Sequence, residues 1–184
     1  MARLVEFYKP DLLEKTIDFI RKKGIENLTA RNLCHYIGCS TQPIFRNFGS
    51  MGNLKSEVDE YLKNYYKNFI NQIINKNAYL YTVNYSYTLF ALEEPNLFEA
   101  LFMSDLDGVK TINDILKTNS DIEIIDSIPS QYNLSKKQSE RLYRDVKIYT
   151  HGLSCQIACN NLYLKKEDIG LLIKNVINNL RKQM

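Results

Sequence analysis

The chain has little of what catalysis, secretion or membrane insertion would need. Its two histidines, His35 and His151, sit in no recognisable triad or metalloprotease spacing. Its seven glycines form no phosphate-cradling loop. Glu93 and Glu94 are adjacent, so on a helix they diverge and make a poor general acid/base pair. These absences point away from an enzyme, and no cofactor is expected. Four cysteines (Cys34, Cys39, Cys155 and Cys159) without a signal peptide predict a reduced, cytoplasmic setting. The longest uncharged runs, 77–92 and 148–164, carry Asn, Ser, Thr, His and Tyr and fall short of a membrane span, so no membrane partner is expected. There is no Gly/Ser- or Pro-rich linker, no repeat and no low-complexity tract, which predicts rigid coupling between parts.

What remains is an ordinary globular composition, 45% hydrophobic and 24% charged over 184 residues, enough to bury a proper core. The net charge of +3 is unevenly spread. Residues 1–55 hold nine Lys/Arg against five Asp/Glu, a net of +4, while residues 56–184 hold fifteen against sixteen, a net of −1. The surplus positive charge lies where a phosphate partner would need it.

That basic segment contains the most legible stretch, Thr29 to Leu54. Ala30, Leu33, Cys34 and Ile37 recur at helical spacing. Gly38 allows a sharp turn through positive φ. Ser40 is expected to cap the next helix, with Pro43 in its first turn. Ile44, Phe45 and Phe48 are read as its apolar side, leaving Thr41, Gln42, Arg46 and Asn47 facing out. This is a helix-turn-helix with a polar recognition surface, and its partner is expected to be double-stranded DNA. Gln42 can pair with adenine and Arg46 with guanine or phosphate, with Thr41 and Asn47 as further contacts. Thr29 and Arg31 would clamp phosphate, and Ser40, Pro43 and Phe45 are counted with them among the residues expected at the DNA. The Arg21-Lys22-Lys23 run is read as a capped, solvated helix end, with phosphate contact as the sharper alternative.

Elsewhere the pattern is helical. Pro10 and Asp11 open a first helix that Gly24 stops. A long helix is expected from Ser50 to about Asn75. Residues 78–103 are rich in tyrosine; the run exceeds strand length and breaks at Pro95, so it is read as helix. Asp105, Asp107 and Gly108 predict a turn, Val109–Lys117 a short helix, and Thr118–Ser130 a loop containing Pro129. Ser135 should cap another long helix with Leu142, Val146, Tyr149, Leu153 and Ile157 in its stripe. Lys166–Lys182 forms the last, with Ile169, Ile173, Val176 and Leu180. Tyrosines outnumber phenylalanines 13 to 8, so many hydroxyls need partners. A cavity of ring faces and a few hydroxyls would suit a small apolar or amphipathic ligand. Tyr85, Phe98, Phe102, Met103 and Tyr149 are its expected lining.

The 29–54 stretch resembles the TetR family of bacterial transcription regulators. The family pattern, roughly T-x-x-x-[IL]-A…G-V-S-x-x-x-[LI]-Y-x-H-F-x-S-K-x-x-L, is met by Thr29, Leu33, Cys34, Gly38, Cys39, Ser40, Ile44, Phe45, Asn47, Phe48, Ser50 and Leu54 without a gap. Phe45 stands for the usual tyrosine, Asn47 for histidine and Met51 for lysine. The first change removes a phenol that typically touches phosphate. The last shifts backbone contact toward Lys55 or the amides near Ser50. The resemblance implies an all-α chain, with a three-helix DNA-binding domain over 1–53 and a helical ligand-binding and dimerisation domain over 54–184. It also implies a homodimer on two-fold-related half-sites, paired through the last two helices. Pro95-x-Leu97-Phe98-x-x-Leu101-Phe102 looks like a run of TetR-like effector domains, and His151-Gly152 a short signature of one group of them. His151, Gly152, Cys155, Cys159, Ile173, Val176 and Leu180 are the expected interface.

His151, Cys155 and Cys159 share one helical face, which raises the question of a metal. The outer two stand about 12 Å apart along the axis at 1.5 Å per residue, too far for one ion to hold all three. Packing at a helix interface and a two-ligand site shared across a dimer both stay open. Cys34 and Cys39 are read as filling the helix-turn-helix core. A different reading of the whole chain keeps the helix-turn-helix as a scaffold for a partner protein, an adaptor without tight DNA binding.

Overall fold

The computed structural model describes residues 7–103, 116 and 118–184; the turn at Asp105, Asp107 and Gly108 and, apart from Leu116, the helix expected over 109–117 lie outside the described residues. The described chain is all-α, with no strand. Pro10 and Asp11 occupy the first turn of α1 (Lys9–Lys23), and Arg21, Lys22 and Lys23 its last. Gly24, at φ 82°, closes the helix by donating its N–H to the Ile20 carbonyl. After a short 3-10 turn (Ile25–Asn27) come α2 (Ala30–Ile37), α3 (Gln42–Phe48) and α4 (Met51–Asn71). A second 3-10 turn (Lys76–Ala78) leads to α5 (Tyr79–Glu93), α6 (Pro95–Phe102), α7 (Asn119–Tyr132), α8 (Lys136–Ala158) and α9 (Lys166–Arg181).

These elements form two compact units, which close around different residues from a division at 53/54. Among the described residues, the first comprises 7–66 and 96–103, the second 67–95, 116 and 118–184. In the first unit, Leu12, Ile20, Leu33, Ile44, Leu54 and Leu97 are fully buried. Lys9 pairs with Glu57 at 2.5 Å. Phe19 meets Tyr36 edge to face at 5.4 Å, and Asn96 ties α6 to the end of α1 by donating to the Arg21 carbonyl.

In the second unit α5 packs against α7, α8 and α9, and α8 against α7 and α9. Its core gathers Leu80, Ile124, Ile128, Leu142, Val146, Ile169 and Ile173. A helix surrounded on three sides cannot have one polar face, and α5 buries Thr82, Asn84, Ser86 and Thr88. Each hydroxyl or amide among them bonds a carbonyl three or four residues back in its own helix.

Three expectations are corrected. The stretch 118–130 is not a loop but most of α7: Thr118 and Asp121 cap it reciprocally, Ile124, Ile125 and Ile128 face the core, and Pro129 is accommodated in its last turn. The long helix after Ser50 ends at Asn71, short of 75. On α8 the buried stripe runs through Thr150, while Tyr149 is exposed. Ser135 caps α8 as expected, in a capping box with Gln138.

Candidate nucleic-acid interface

Gly38 makes the turn: at φ 79°, ψ 37° it is left-handed, and its N–H and that of Cys39 both reach the Cys34 carbonyl. Cys34 is buried and its thiol donates to the Ser40 carbonyl at 3.2 Å. Burial, helped by Cys39, pushes the Cys34 thiol up to about 11, so it acts as core filling. Ser40 does not cap α3. The residue before the helix is Thr41, already helical at φ −74°, ψ −17°, with no side-chain cap. Pro43 lies in the first turn, where its missing N–H is harmless.

Ile44 and Phe48 are buried and seat α3 on its unit. Phe45 departs from the expected apolar side: it is 44% exposed, on the outward face with Thr41, Gln42 and Arg46. Asn47 departs the other way. It is half-buried, and its amide donates to the Pro43 carbonyl at 2.8 Å and the Phe7 carbonyl at 3.2 Å, which holds it inward. Thr29 is the N-cap of α2, its hydroxyl accepting from the Asn32 N–H, and Arg31 is exposed beside it. Arg31, Asn32, His35, Cys39, Ser40 and Thr41 border one shallow groove. Lys55 is exposed in α4, whose first turn is capped by the Ser50 hydroxyl accepting from the Asn53 N–H. Of the cationic run, Lys22 is engaged with Asp18 and Tyr36. The Tyr36 hydroxyl and the Lys22 ammonium together hold the Asp18 carboxyl below its usual range.

The expected ligand lining does not come together in one cavity. Phe98 is fully buried and Phe102 half-buried in the first unit, where Phe102 packs edge to face on Tyr66 at 5.0 Å. Met103 belongs to the same unit and is exposed, as is Tyr149 in the second. Tyr85 alone of the five lines a described cleft, stacked on Tyr81 at 5.8 Å beside Gly170, Lys166 and Lys174. A larger cleft of about 550 Å³ lies between α7 and α8. Ile122, Ile125 and Leu116 give it apolar walls, and Lys136, Lys137, Arg141 and Arg144 line it against Asp126 and Glu140. Sequence periodicity could not find it, because Ile122 and the basic residues read as an ordinary solvated surface.

On α8, His151, Gly152 and Cys159 are exposed and Cys155 half-buried. Ile148, 48% exposed, extends that stripe, and Leu171 on α9 is 59% exposed; both were missed, although each is apolar and off the core stripe. Val176 and Leu180 are half-buried. Ile173 is the exception among the expected interface residues: it is fully buried in its own unit's core and has no surface to offer a second chain.

No protein family matches the chain by sequence, and no curated protein does. Solved structures do match it. The crystal structure of a single-residue variant of TetR from Acinetobacter baumannii AYE, in complex with minocycline, superposes with a TM-score of 0.58 over 96% of both chains at 11% identity. That of a TetR transcriptional regulator from Rhodococcus sp. RHA1 gives 0.48 over 94% of this chain and 96% of the other at 15% identity. The all-α chain, with a helix-turn-helix near its N-terminus and a larger helical unit after it, has the TetR regulator fold.

Proposed function

We propose that this chain is a cytoplasmic transcription regulator that binds a two-fold-related DNA operator as a homodimer and answers to a small ligand. The observation that carries the reading is the division of α3. Ile44 and Phe48 anchor it, and Thr41, Gln42, Phe45 and Arg46 are presented together on the outside. The last three offer what a major groove reads: an amide for adenine, a guanidinium for guanine and a ring for the thymine methyl. Thr29, Arg31 and Lys55 supply phosphate contacts around it, with Ser40 and Pro43 shaping the approach. The sequence change to Phe45 exchanges a phosphate-touching phenol for apolar contact to a base.

The dimer reading rests on exposed apolar and small residues along α8, its C-cap and α9, Ile148, Gly152, Cys159 and Leu171, with the half-buried Cys155 among them, a surface that a second copy would cover. The ligand reading rests on the cleft between α7 and α8, whose apolar walls and cationic side chains suit an amphipathic molecule bearing an acid group. Ligand alters operator binding only if it favours one arrangement of the dimer over the other. Release of the operator by ligand makes the protein a repressor.

Selection of bound sequences from random duplex DNA with the purified full chain tests the reading. A two-fold-related motif is expected, with affinity falling steeply as salt rises. No enrichment, with binding indifferent to salt, would favour the adaptor that uses this fold to hold a protein partner.

A further inference from the structure

Three side chains of the second unit stand in a line. Tyr87 on α5 places its hydroxyl 2.8 Å from His151 Nδ1, and His151 Nε2 lies 3.6 Å from Cys155 Sγ, one turn further along α8. With the proton on Nδ1 and donated to the Tyr87 oxygen, Nε2 presents its lone pair on the same side as the thiol. The separation is telling. A thiolate at 2.3 Å and an imidazole at 2.0–2.1 Å from one tetrahedral ion stand about 3.6 Å apart. The pair already has the bite of two zinc ligands, and the phenol fixes the imidazole as an outer partner does in metal sites. Among the described residues no group of three or more His, Cys, Asp or Glu that could hold a metal ion gathers anywhere, so within them this pair stands as two ligands of a possible four. Gly152 lies between them in sequence, and among the described residues no atom stands within 4 Å of where its Cβ would be.

We infer that His151 Nε2 and Cys155 Sγ form half of a tetrahedral zinc site that a second copy of this chain completes with the same two residues. The inference rests on the homodimer of the proposed function. Each Cys155 thiol would lose its proton to water and bind as thiolate, giving a closed two-histidine, two-cysteine set at the two-fold axis with no redox change. Cys159 stays outside it, a further turn along the helix.

Cobalt(II) serves as the probe, added to the chelator-treated full chain with the oligomeric state followed by light scattering. The expected result is a tetrahedral, thiolate-bearing cobalt spectrum that saturates at one ion per two chains and is erased by zinc. Cys155→Ser and His151→Ala should abolish it, and Cys159→Ser should leave it intact. Tyr87→Phe should weaken affinity about 10- to 100-fold while keeping the spectrum, as loss of an outer partner does. A dimer showing no such spectrum overturns the metal site and leaves the dimer standing. Saturation at one ion per chain, or an unchanged spectrum in folded Cys155→Ser, overturns it too. A chain that stays monomeric with and without metal removes the dimer, and the site with it.

Discussion

The two units treat polar side chains in opposite ways. Of the nine buried polar residues described, only Thr16 lies in the first unit; the other eight, from Thr82 to Ser154, lie in the second. The first unit is sorted conventionally, aliphatics inside and polar groups out, its helices stopped at Gly24, Gly38 and Gly49 with positive φ. The second hides hydroxyls, an amide and a carboxylate among its helices, and among the described residues no buried side-chain N or O is left without a partner. The difference fits the proposed function. On that proposal a unit that contacts DNA needs a polar outside and a plain inside. A helical body with α5 enclosed by three neighbours must bury whatever α5 carries, and short polar side chains folded back on their own helix keep its girth small.

The comparison breaks most visibly where the plain interior is cut. Ile44→Ala, at a fully buried position, should cost about 2–5 kcal/mol of stability in urea titration, as large-to-small core changes do. A loss below about 1 kcal/mol would mean that α3 is not seated as described. In the second unit the corresponding strike is polar. Asp121 is 2% exposed and accepts from Lys147 and Tyr143 at 2.7 Å and from the Thr118 hydroxyl at 2.6 Å. Asp121→Ala should cost about 2–4 kcal/mol, less than a fully enclosed pair because Lys147 can turn to water.

The same carboxylate predicts an acid limb. Burial alone would raise its pKa, but the hydrogen bonds from Lys147, Thr118 and Tyr143 outweigh burial and hold it below the ordinary value. A group lowered on folding stabilises in full above its unfolded pKa, about 3.9, and loses that contribution as pH falls through the lower folded value. Asp121→Asn should therefore flatten the stability curve below about pH 4, with the two proteins converging in strong acid. Parallel curves would show that the carboxylate is not held as described.

In the first unit, on the proposed function, the effect is on binding. Arg46→Ala should weaken operator affinity about 10- to 100-fold, about 1–3 kcal/mol, with the dimer intact. Asn47→Ala sharpens the point: its amide is turned inward, so it should cost stability and leave base preference alone. If Asn47→Ala relaxes specificity instead, the inward placement is wrong for the bound state.

How much was legible follows the same division. Where burial and hydrophobicity coincide, periodicity located α1 to α3 and the start of α4, and the Gly38 turn was readable from one residue. The second unit was readable only in part. Every second residue of α5 from Leu80 to Thr88 is buried, and four of those five are polar, so no helical stripe shows in its sequence. Pro129 read as a helix breaker, although the Thr118–Asp121 capping box three turns earlier marked a helix start. At the site, Phe45 and Asn47 were exchanged: a ring was assigned inward and an amide outward, each by hydropathy. The deciding facts, a carbonyl at Pro43 and one at Phe7, lie in the fold and not in the side chain's own preference.

The finest test concerns the hydroxyls themselves. Ser154 donates to Thr88 Oγ1 at 3.1 Å, a bridge from α8 to α5, and Thr88 donates in turn to the Asn84 carbonyl at 3.1 Å. Thr88→Val keeps the shape but strands the Ser154 hydroxyl in a dry contact, at a cost of about 1–2 kcal/mol. Ser154→Ala alone deprives Thr88 of a donor while its bond to Asn84 survives, and should cost less. The double change removes donor and acceptor together and should lie within about 0.5 kcal/mol of the parent, since two apolar groups of similar shape need no partner. Simple additivity of the two single losses would mean that the hydroxyls do not interact, and that α5 keeps its buried polar groups self-satisfied with no bond to α8 through Thr88.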